Sequence, residues 1–64
     1  MDQETFNLSM RKFLKQVGVT SQQQIEEVVR NTELAGKSSL KVKMVLTAEG
    51  TDLHHVVEGT IDLS

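Results

Sequence analysis

Phe6, Met10, Phe13, Leu14 and Val17 recur at i, i+4, i+7, i+8 and i+11. That spacing gathers all five on one stripe of a 3.6-residue helix. It predicts a helix over about 3–17. Asp2 is placed to cap it, and Glu4 sits against the positive end of its dipole. Arg11, Lys12 and Lys15 fall on the far side, near the carboxyl end where cations are favoured, and Leu8 is the one apolar residue among them. Gly18 suits the left-handed position just past a helix end, with Val19 closing back onto Leu14. A second helix is expected over about 21–35. Ser21 and Gln24 match a capping box, in which hydroxyl and amide each satisfy an orphan backbone N–H. Ile25, Val28, Val29, Thr32 and Ala35 make its apolar stripe, and Glu26 precedes Arg30 by four in the favourable order. Gly36 is expected to end it, followed by the short loop Lys37-Ser38-Ser39. Its β-branched residues lower intrinsic helicity, so packing against the first helix is expected to hold it.

From Leu40 the period changes to two. Leu40, Val42, Met44 and Leu46 face one way, and Lys41, Lys43, Val45 and Thr47 the other. After the turn residues Glu49-Gly50-Thr51-Asp52, the alternation resumes with Leu53, His55, Val57, Ile61 and Leu63 inward. His54, Val56, Glu58, Thr60 and Asp62 point outward. The pattern predicts an antiparallel hairpin with strands at about 40–47 and 53–63. With that loop, Lys43 lies opposite Glu58 and Val45 opposite Val56, each pair worth roughly 0.2–1 kcal/mol. Gly59 interrupts the inward row and suggests a bulge or a close helix approach. The fold class is therefore α+β: two N-terminal helices roofed by a hairpin, as one domain spanning 1–64. Because Gly18 is expected at positive φ, Gly18→Val is expected to cost more than Gly50→Ala.

Composition adds a constraint on assembly. A chain of 64 residues buries only about 60% of the surface its unfolded form exposes, a thin margin for one core. Cysteine is absent, so no disulfide, thiol nucleophile or cysteine-bound zinc supplements it. Phe6 and Phe13 are the only aromatics. An isolated hairpin is marginal in water and leaves two open edges. The expected remedy is a homodimer that completes the sheet, by strand-edge pairing or by exchange of the hairpin. The net charge of −2 gives no electrostatic reason to seek DNA or anionic lipid. No apolar run is long enough to cross a bilayer, and Met1-Asp2-Gln3-Glu4 is unlike a basic leader. The expectation is a cytoplasmic protein that does not enter a membrane.

The sequence offers several candidate chemistries. The corner Val17-Gly18-Val19-Thr20-Ser21 has the rhythm of a helix-turn-helix. Against it, Ile25 comes seven residues after the glycine where such motifs usually place one at six. The exposed face also carries Gln22, Gln23, Glu26 and Glu27, and two carboxylates would meet phosphates. Asp52, His54, His55 and Glu58 bring ligand-type atoms close in sequence. Successive strand residues point to opposite faces, so His54 and His55 cannot share a metal within one chain, and Glu58 lies about 13 Å from His54 along the strand. The serines and threonines sit at caps, turns and strand faces, where backbone hydrogen bonding accounts for them. The four glycines are scattered singly, so no phosphate-cradling loop is present. The basic face of the first helix, Leu8 with Arg11, Lys12 and Lys15, reads as a solvated surface opposite the face built for burial.

Glu4-Thr5-Phe6-Asn7, the run from Arg11 to Gln22 (Arg-Lys-Phe-Leu-Lys-Gln-Val-Gly-Val-Thr-Ser-Gln) and His55-Val56-Val57-Glu58-Gly59 resemble a family of short, single-domain bacterial proteins of unknown function. The resemblance spans nearly the whole chain. It implies a free-standing protein and carries no catalytic or ligand residue with it. The functional expectation is a non-enzymatic homodimeric interaction or accessory module without catalytic residue, cofactor or metal, with an unidentified protein as a possible further partner. The alternatives are a nucleic-acid binder using the helix corner and, further off, a metal protein or small hydrolase.

Overall fold

The computed structural model describes residues 1–34 and 36–64. Its first element is a single helix, α1, Gln3–Asn31. At its start Asp2 adopts an extended conformation, and its Oδ1 accepts from the N–H groups of Glu4 (3.0 Å) and Thr5 (3.4 Å). The Thr5 hydroxyl donates to Asp2 Oδ2 at 2.8 Å, and the Phe6 N–H donates to the Asp2 carbonyl at 3.0 Å. The predicted cap is therefore the observed one.

The predicted break at Gly18 is not there. Two helices over 3–17 and 21–35 were expected, and one helix of 29 residues runs through both the glycine and Ser21. Gly18 does not have positive φ, whereas Gly36 and Gly50 do. Ser21 and Gln24 are interior helical residues and form no capping box. Thr20 shows how a capping-type residue is accommodated instead. Its hydroxyl donates back to the Gln16 carbonyl at 2.9 Å, the usual fate of a threonine inside a helix. An interior glycine costs only about 1 kcal/mol relative to alanine, and the apolar stripe keeps its phase across it. Val17, Ser21, Ile25 and Val29 follow one another at steps of four, and these four are less exposed than their helical neighbours. A genuine corner would have reset that phase.

α1 ends earlier than predicted, at Asn31, with Thr32 extended as its C-cap. Thr32 thus leaves the expected stripe, and Gly36 (φ 85°) serves the connection that follows. Ala35, the expected last residue of the second helix, lies outside the described residues.

The strands agree closely with the pattern. β1, Ser39–Thr47, pairs antiparallel with β2, His54–Asp62. The register sets Lys43 opposite Glu58, Val45 opposite Val56 and Met44 opposite Val57. The Leu63 N–H donates to the Ser38 carbonyl at 2.8 Å and extends the ladder by one step. No bulge occurs at Gly59, which pairs in register with Val42. Leu53 and Leu63 lie just outside β2.

The connection 48–53 is organised by Thr51. Its hydroxyl donates to the Ala48 carbonyl at 2.8 Å and accepts from the Leu53 N–H at 3.1 Å, while its own N–H reaches the same carbonyl at 3.3 Å. Gly50 supplies the left-handed conformation (φ 72°). Thr51→Val keeps the shape but removes both hydroxyl bonds, so it should destabilise the hairpin by about 1–2 kcal/mol. Amide exchange at Leu53 should quicken in that variant.

The chain divides into two compact units, Met1–Leu34 and Ala35–Ser64.

Candidate functional site

Among the described residues, none has a buried side chain. What the chain presents instead is large apolar surface on each unit. On α1, Phe6, Met10, Phe13, Leu14, Val17, Ile25, Val28 and Val29 occupy roughly 160° of the helix circumference at about 100° per residue. Phe13 is 49% exposed, and Phe6, Met10, Leu14 and Val28 are similar. Leu8, 61% exposed, stands on the opposite face with Arg11, Lys12 and Lys15 nearby.

The hairpin repeats the theme with period two. Leu40, Val42, Met44 and Leu46 share a face with Ile61, Gly59, Val57 and His55, their register partners in that order. Val57 is 52% exposed and Met44 44%. The other face is mixed, with the pair Val45 and Val56 set among Lys41, Lys43, Thr47, His54, Glu58 and Thr60.

The candidate metal ligands are not brought together. His54 stands across from Thr47 and His55 across from Leu46, on opposite faces of β2. Glu58 is paired with Lys43, and Asp52 belongs to the loop. Among the described residues, no three His, Asp or Glu side chains are near enough to hold one ion. A shallow open depression is lined by Lys41, Val42, Lys43, Glu58, Gly59 and Thr60. It is open to solvent and holds no nucleophile paired with a base.

The helix-turn-helix reading loses its premise. That motif needs two helices joined by a turn, and Val17, Gly18, Val19, Thr20 and Ser21 are consecutive residues of α1. No helix among the described residues is long and apolar enough to cross a membrane.

The titration of Asp2 is perturbed. Hydrogen bonds from the Thr5 hydroxyl, the Thr5 N–H and the Glu4 N–H hold the Asp2 carboxyl below the usual aspartate value. The unfolded chain then binds the proton more readily than the folded one, so stability rises with pH in that range. The contribution of the cap should be complete above the ordinary carboxylate range and fade as pH falls through the depressed folded value. Fraying of the first turn, followed by exchange of the Glu4 and Thr5 amides, should increase over that acid window and disappear as a pH effect in Asp2→Ala.

The sequence matches the family of unknown function DUF6494 along residues 1–64, its full length. The chain belongs to DUF6494. No curated protein and no solved structure matches it. For this DUF6494 member the resemblance read from Glu4–Asn7, Arg11–Gln22 and His55–Gly59 is thus a family relationship covering both units.

Proposed function

We propose that the chain acts as a non-enzymatic, cytoplasmic homodimeric interaction or accessory module, with no cofactor. The observation that carries this reading is the exposed apolar stripe of α1, with Phe6, Met10, Phe13 and Leu14 all between 41% and 51% exposed. Each side chain of this size favours burial by roughly 1.5–3 kcal/mol when fully removed from water. A chain of 64 residues has little else with which to offset the entropy of ordering. A second copy offers the same surface in return, and isologous pairing closes without leaving a repeat of the patch. The paired apolar row of the hairpin around Met44 and Val57 supports the same conclusion.

Sedimentation equilibrium from low to high micromolar concentration tests the proposal. A molecular mass rising to twice 7.1 kDa is expected. A species that stays at the single-chain mass throughout contradicts it.

A further inference from the structure

The charges on α1 say how a second copy would lie on it. The stripe has two blocks. Phe6, Met10, Phe13, Leu14 and Val17 form a bulky one, and Ile25, Val28 and Val29 a slighter one, with Ser21 and Gln24 between them. Arg11 lies at one edge of the stripe, within the bulky block, with Glu4 further round on that side and Lys15 further still, toward the opposite face. Glu26 lies on that same side, about 60° beyond Val29 at the edge of the slighter block. Beyond them, Lys12 belongs to the first half of the helix and Glu27 and Arg30 to the second, so that with Glu4 counted the first half is net basic and the second net acidic.

We infer that α1 pairs with α1 of a second copy in the antiparallel sense, the basic half of each lying against the acidic half of the other. This rests on the homodimer reading above and adds the surface and its direction. The register that seats Met10 near Val28 of the other chain also brings Phe13 near Ile25, so that large side chains meet small ones twice. In an antiparallel pair each edge of the stripe faces the same edge of its partner helix. Arg11 therefore comes beside Glu26 on both sides of the two-fold axis. Parallel pairing instead stacks like ends on like ends and aligns the two helix dipoles unfavourably. At the centre, Ser21 is short enough to let the helix axes approach, and packed helices lie about 8–10 Å apart.

The test is a charge swap read by sedimentation in low salt on full-length chains. Arg11→Glu alone sets carboxylates beside Glu26 at two places and should weaken self-association by roughly five- to tenfold. Glu26→Arg alone should do the same. The double variant, Arg11→Glu with Glu26→Arg, should recover the wild-type association, and a mixture of the two single variants should form a mixed dimer in preference to either alone. Equal association of wild type and both single variants overturns the antiparallel arrangement, as does a double variant no better than the singles. A wild-type chain that remains monomeric overturns the dimer itself, and does so before any variant is compared.

Discussion

Phe13→Asp should reduce self-association by at least about a hundredfold, about 2.8 kcal/mol at 1.4 kcal/mol per factor of ten. Phe13 lies within the bulky block of the α1 stripe, where it is 49% exposed in one chain. Covering that ring in an assembly and then replacing it with a carboxylate loses the apolar burial and adds a desolvated charge. Leu8→Asp is the matching control. Leu8 is more exposed still, at 61%, but stands on the opposite face among cations. Its replacement should change association by no more than about 0.5 kcal/mol, as usual for surface sites. Sedimentation of both variants beside the wild type checks the difference. Similar behaviour of the two would mean that exposure alone, and not the stripe, governs association.

At Gly18 the sign of the effect is the informative part. Gly18→Ala should stabilise the helix by up to about 1 kcal/mol, because the residue is helical and alanine is the better helix former. Nothing lies within 4 Å of the position an added Cβ would take, so the methyl group meets no obstacle. Gly18→Pro should cost about 3 kcal/mol or more, since it removes an interior hydrogen bond and strikes the preceding turn. Gly50→Ala should destabilise, because Gly50 has φ 72°. The ground for expecting Gly18→Val to cost more than Gly50→Ala, a positive φ at Gly18, is absent, and it is Gly50 that has one. Thermal melts of the alanine variants decide it, and a loss of stability in Gly18→Ala would restore the corner.

The strands were legible because a hairpin is written twice. The alternation from Leu40 to Leu46 and that from His55 to Ile61 must agree through the turn, and only one loop length lets Lys43 meet Glu58. Each half checks the other. The helix carried no such check. Gly18, Thr20, Ser21 and Gln24 are each good punctuation, and together they resembled a stop followed by a start. The evidence against a break was also present, in Ile25 lying eight residues beyond Val17 and so on the same face. Local propensity argues for a break at Gly18, the phase of the stripe argues against one, and the helix follows the phase. Gly59 misled in a smaller way. A glycine in a strand suggests a bulge, yet here it pairs in register and merely leaves a gap beside Val42.

For the candidate site, composition pointed toward assembly but not toward the surface that serves it. Two half-length helices packed on each other would have used up their stripes. One helix of 29 residues leaves its stripe facing outward, and that difference moves the expected interface from the sheet edge to α1. β2 separates His54 and His55 to opposite faces, so the two cannot ligate one ion within a single chain.

Thermal unfolding followed by circular dichroism across a wide range of protein concentration puts the central claim to its most direct test. If the apolar stripe of α1 is covered by a second copy, folding is linked to association, and the melting midpoint should rise steadily with concentration. A midpoint independent of concentration, with full helicity retained at the highest dilution, would contradict the account.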